Sequence, residues 1–250
     1  MTLRHELLGC KLSSPPQEWA DTYARDFAGL GGYPEGWCPL LCRKGDITAA
    51  LGMVIMAHLG YEIPVPVRQR LNDGFDVAVD YFVGDWWKDD EPSRKGLDKT
   101  SDEFEPCWFK AFAPGLLLGL LTQRWDEVAR MCDWVDADLD TEYLGDDFEE
   151  PLVHLYKSVA AGLRDKPMPG IETLEAKIKK SRKRRPKLLF QAWEAARKRD
   201  QAAFEAAFRN SLDVLHSDNE PARIAIDWVA PHHSVVGLAA LWNEMARVAA

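Results

Sequence analysis

The sequence predicts an all-α fold: stacked antiparallel helical hairpins, loosely tetratricopeptide-like, in the manner of an α-solenoid. Two observations predict it. Apolar residues recur at helical spacing through most of the chain, and no strand-like alternation persists. The run 187–215 also reads as two amphipathic helices joined by the polar turn 197–200. Leu188, Leu189, Ala192, Trp193 and Ala196 share one face of the first helix; Ala203, Phe204, Ala207, Phe208, Leu212 and Leu215 share one face of the second. Small residues such as Ala195, Ala196, Ala202 and Ala206 let the two backbones approach. Such a hairpin cannot bury its stripe alone and needs a neighbour to stack on.

The remaining elements follow in chain order. Pro15 and Pro16 open a helix over 17–28 that buries Trp19, Tyr23 and Phe27. Gly29, Gly31, Gly32, Pro34 and Gly36 break it. Asp46 is placed to cap a helix over 47–59, which Gly60 ends. Pro64 and Pro66 lead into a helix over 67–83, with Leu71, Phe75, Val79 and Phe82 at helical spacing. A polar loop covers 85–105. Pro106 restarts an apolar helix through Leu121, and Thr122, Gln123 and Arg124 turn into a partner helix over 125–135, a second hairpin. An acidic segment, 136–150, precedes a helix over 152–163. Pro167, Pro169 and Gly170 mark a loop, 171–181 forms a basic helix, and Pro186 opens the C-terminal hairpin. The tail holds a short apolar segment and a final helix from about Ser234. The 250 residues suffice for a single helical domain; the alternative is a division into 1–84 and 106–250, joined by the loop.

The net charge of −9 opposes general nucleic-acid or anionic-membrane binding and favours a basic protein partner. No apolar run is long enough to span a bilayer, and the first residues are too polar for a secretory signal. Cys10, Cys38, Cys42, Cys107 and Cys132 are odd in number and scattered, which suits free thiols in the cytoplasm.

The most function-like stretch is 85–108, a long loop that mixes aromatic and charged residues. Trp86, Trp87, Arg94, Lys95, Asp98, Lys99 and Trp108 have the composition of a protein-binding hot spot. The competing reading packs the tryptophans into the core and lets Arg94 pair with Asp98. A second candidate is the acidic run, where Asp136, Asp138, Asp140, Asp146 and Asp147 would steer a basic partner. Its Asp-x-Asp-x-Asp start resembles a calcium loop, but Thr141 and Asp147 stand where Gly and Glu belong. A plain solvated acidic loop is the third reading.

The basic run 177–187, KIKKSRKRRPK, lacks aromatics for base stacking and reads as a solvated helix face, paired with the acidic segment. His232 and His233 are adjacent, so they point to different sides of a helix. Cys38 and Cys42 have no second ligand pair nearby. No phosphate-binding glycine loop, zincin motif or nucleophile elbow occurs. The expectation is therefore a protein without catalytic residues, cofactor or metal. The rival is a carboxylate or metal site in 85–105 or 136–150.

Three stretches, 116–135, 185–215 and 224–242, together resemble immunity protein family 49 of the bacterial polymorphic-toxin systems. They cover 70 of the 250 residues, just over a quarter; residues 1–80 carry no match. The resemblance implies an all-helical cytoplasmic protein that neutralises a cognate toxin by steric blocking, and it carries no catalytic residues across. A helical scaffold or regulatory adaptor in another assembly is the alternative.

Overall fold

The computed structural model describes residues 16–29, 39–84, 108–139, 150–217 and 231–248. Among them the chain is all-helical, with ten helices and no strand. They are α1 (Pro16–Asp26), α2 (Pro39–Leu59), α3 (Val67–Val83), α4 (Trp108–Thr122), α5 (Trp125–Asp133), α6 (Glu150–Leu163), α7 (Ile171–Lys180), α8 (Arg184–Lys198), α9 (Gln201–Ser217) and α10 (Pro231–Val248). The all-α expectation holds. The described residues fall into two compact units that interleave in sequence: α1–α3 with most of α4, and Trp108 and Phe109 with α5–α10.

In the first unit, α2 packs on both α1 and α3. The approach of α2 to α3 is set by Gly74, where a Cβ would collide with the Ala50 side chain. Phe75, Ala78, Tyr81 and Phe82 are buried, and Phe82 meets Phe112 edge-on at 5.7 Å. Arg43 Nε donates to Asp80 Oδ2 at 2.6 Å and ties α2 to α3. Two sequence expectations are corrected here. Asp46 is not a helix cap, because α2 begins at Pro39; the carboxylate is buried and accepts the Ala28 backbone N–H at 2.8 Å. On α1 the buried residue is Ala20, while Trp19, Tyr23 and Phe27 are half-buried, because the helix ends at Asp26 and Tyr23 lies flat over Gly52.

In the second unit, α6 packs against α5, α7 and α8. Its nine residues 152–160 are all buried, as expected of a helix enclosed on every side. Gly162 lets the Trp193 ring lie against α6; a Cβ there would come within 2.5 Å of Cζ2. The C-terminal hairpin forms as α8 and α9, closed by Arg199 at φ +61°. Its first helix starts earlier than expected, at Arg184, with Pro186 in its first turn. The expected stripe on α9 is not fully buried: Phe204, Ala207, Phe208 and Leu212 are half-buried and Ala203 is exposed, while Ser211 and Val214, outside that stripe, are buried. The final helix also starts earlier, at Pro231.

Candidate partner-binding groove

The enclosed helix α6 carries polar side chains, and each finds a partner in a different direction. His154 Nε2 lies 3.5 Å from Glu150 Oε1. Tyr156 and His232 share a 2.8 Å hydrogen bond between the phenolic oxygen and Nδ1. Ser158 Oγ donates to Glu175 Oε1 at 2.7 Å, and the Ser158 carbonyl accepts from Trp193 Nε1 at 3.2 Å. Lys157, 1% exposed, donates from Nζ to the carbonyls of Ala137 and Leu139 at 3.0 and 2.5 Å, with the Trp108 ring 5.7 Å away.

Arg164 completes what Lys157 begins. Its guanidinium donates to the carbonyls of Val135 (2.7 Å) and Asp133 (3.0 Å) and to Asp133 Oδ1 (3.3 Å). Asp133 Oδ1 also accepts the Lys166 backbone N–H. The carbonyls of residues 133, 135, 137 and 139, at alternate positions, are thus all held by two cations withdrawn from water. Charge-assisted bonds of this kind stabilise by about 1.5–3 kcal/mol each. They fix a segment that has no regular secondary structure after α5.

Above this anchor lies an open groove of about 630 Å³, lined by Asp136, Ala137, Asp138, Pro169, Gly170, Thr173 and Leu174. Gly170 precedes α7 at φ +83°, a conformation that a side chain resists. Asp138 is exposed, and the Asp136 side chain is 42% exposed while standing 3.7 Å from Arg164. Glu172, exposed in the first turn of α7, adds a third carboxylate to that end of the helix, where the helix dipole favours it. The arrangement offers fixed negative charge beside an apolar floor formed by Leu174 and Ala137.

Three sequence-selected residues fall within the described structure. Asp136 and Asp138 line the groove together, whereas Trp108 is fully buried against Phe109 and Trp134, in the core role that the sequence left open. Trp86, Trp87, Arg94, Lys95, Asp98, Lys99, Asp140, Asp146 and Asp147 lie outside the described residues. Among the described residues no group of three or more His, Cys, Asp or Glu side chains is disposed to hold a metal ion. His232 and His233 diverge as expected, to Tyr156 and to Phe208.

Sequence reasoning missed Lys157 and Arg164, the residues that build the groove. The signal was available for Lys157: it is the one charge in the otherwise apolar and polar run 151–163, LVHLYKSVAAGL after Pro151. Burial raises the Cys132 thiol pKa well above its usual range, which leaves it unreactive. Desolvation holds His154 at about 4 and His232 at about 3, so both imidazoles are neutral at pH 7.

The fold defines an all-α protein of packed helices with one anchored acidic groove among its described residues. No protein-family model, curated protein or solved structure matches the chain. No described helix is long and apolar enough to cross a membrane.

Proposed function

We propose that this chain is a non-catalytic binding protein that receives a basic protein partner on the acidic groove, as an immunity protein does when it blocks a toxin. One observation carries the reading: Asp136 and Asp138 stand on a segment whose backbone is pinned by Lys157 and Arg164. A pinned segment loses little conformational entropy on binding, so its carboxylates meet a partner already in place. Complementary charge then accelerates encounter more than it deepens affinity. The helical resemblance supplies the toxin-neutralising context, and steric cover of the toxin's active site is the mechanism it implies.

The test is co-purification from the native cell followed by association kinetics. The expected partner is a single stoichiometric protein with a basic surface and a toxin-type C-terminal domain. Asp136→Asn combined with Asp138→Asn should slow association about fivefold at low salt while leaving dissociation nearly unchanged. Unchanged association would remove the groove from the interface. Recovery of structural subunits instead of a toxin would favour the adaptor reading. The half-buried Phe204 and Phe208, stacked at 5.4 Å on α9, suit that reading.

A further inference from the structure

The chain is acidic overall, yet eight of the eleven residues 177–187 are Lys or Arg. They occupy the end of α7, the connection 181–183 and the first turn of α8. Part of this run has a structural explanation. Lys177 lies 3.9 Å from Glu150, in the acidic segment that the sequence paired with this run, and Lys179 donates instead to Glu194 on α8 at 2.9 Å. Cations in the last turn of α7 also suit the negative end of its dipole.

The first turn of α8 has no such explanation. Arg184, Arg185 and Lys187 sit at the positive end of that helix, where cations are unfavourable. No acidic residue stands in this turn, and the N-cap Lys183 makes no side-chain cap. Arg185 Nε is buried without an acceptor. Among the described residues, Lys180, Arg182 and Arg184 are exposed and have no ion-pair partner. A bound anion would offset the clustered positive charge of the exposed cations at this helix start.

We infer that the corner between α7 and α8 binds the phosphate backbone of a nucleic acid, through Lys180, Arg182, Arg184 and Lys187. The residues between the cations select this partner over an acidic protein. They are Ile178, Ser181 and Pro186, and both Ile178 and Pro186 are buried. A protein partner needs an aromatic or aliphatic anchor at the centre of the contact, and this corner exposes none; phosphate contacts need only positive charge. The acidic groove does not cancel it. The groove lies at the start of α7 and the corner at its end, about 15 Å apart at 1.5 Å per residue over ten residues. That exceeds the screening length of about 8 Å at physiological salt. The net charge of the whole chain averages over this separation, and phosphate contacts need none of the stacking aromatics that the run lacks.

The test is fluorescence anisotropy of the full chain with labelled duplex DNA and single-stranded RNA of about 20 nucleotides, in about 50 and 200 mM salt. Binding at low salt is expected to weaken about a hundredfold across that range for duplex DNA, the loss that about four phosphate contacts give. A Lys180→Glu, Arg182→Glu, Arg184→Glu variant should lose binding at least tenfold more than an Arg68→Glu, Arg209→Glu control, with an unchanged circular-dichroism melt. Absence of binding to both probes at low salt overturns the inference. So does equal loss in the control, which would mark a net-charge effect. Binding of polyglutamate or of anionic vesicles in preference to both nucleic acids overturns it as well, because the partner would then be of another class.

Discussion

Two regions of the molecule each bury a cation: the segment around Lys157 in the second unit, and the start of α3 around Arg70 in the first. Lys157 directs its ammonium at two backbone carbonyls and lies near an indole ring. Arg70 is 7% exposed, yet its Nε and Nη1 are buried without acceptors. Its guanidinium lies 4.0 Å from the Phe27 ring centre and 3.7 Å from Asp73, and burial lowers its pKa against the opposing pull of Asp73 and Asp46. The difference teaches what a buried charge can contribute. Spent on backbone groups that would otherwise be orphaned, it fixes a segment for use; left half-satisfied, it roughly cancels its own desolvation.

The largest effect expected from this contrast is at Lys157. Lys157→Met keeps the volume of the stem but leaves the Ala137 and Leu139 carbonyls without their donor. Unfolding free energy should fall by about 3 kcal/mol in urea titration. Amide exchange in 135–139 should also accelerate more than in α6. A loss below about 1 kcal/mol would show that water replaces the ammonium, and the contrast would collapse.

Acid should next separate the two units. The second buries His154 and desolvates His232, whereas the described histidine of the first, His58, is exposed. In the unfolded chain both imidazoles take a proton near pH 6.5; in the folded chain they stay neutral down to about 4 and about 3. The unfolded state therefore binds more protons in that window, so stability is full above pH 6.5 and drains as pH falls. Each histidine contributes a slope of up to about 1.4 kcal/mol per pH unit, so His154 alone costs about 2 kcal/mol by pH 5. His154→Gln should flatten the profile of urea midpoint against pH. A flat profile in the parent chain would mean that the imidazoles are already hydrated when folded.

The same two regions show how far the sequence could be read. Periodicity fixes helices well, and the bounds of α3 agree with those read from the sequence. It places faces less well: of the expected stripe Leu71, Phe75, Val79 and Phe82, only Phe75 and Phe82 are buried, and the buried side also takes in Gly74, Ala78 and Tyr81. Close packing on Ala50 selects the small residue at the centre, and a hydrophobicity pattern does not count Gly as core. The acidic half of the site, Asp136 and Asp138, was legible because carboxylates cluster along the chain. Its cationic half was not, since Lys157 and Arg164 come from α6 and the turn after it, more than fifteen residues away from the carbonyls they hold. At Trp108 the sequence left two readings open, a surface anchor among charged neighbours or a core residue, and its ring is turned into the core beside Trp134.

The smallest expected effect is the sharpest test of the comparison. Arg70→Met removes a cation whose Nε and Nη1 gain no hydrogen bond, and keeps an apolar stem against Phe27. Against that stand a weak 3.7 Å attraction to Asp73 and the loss of positive charge near Asp46, whose carboxylate keeps the Ala28 N–H. Arg70 also lies in the first turn of α3, where the helix dipole disfavours it. These terms nearly cancel, so stability should change by about 1 kcal/mol or less, with either sign allowed. A Lys157→Met loss several times larger, measured in the same urea series, is the predicted asymmetry. Equal losses at the two positions would mean that Arg70 holds the first unit together as Lys157 holds the second, and that its buried guanidinium is satisfied in solution by water.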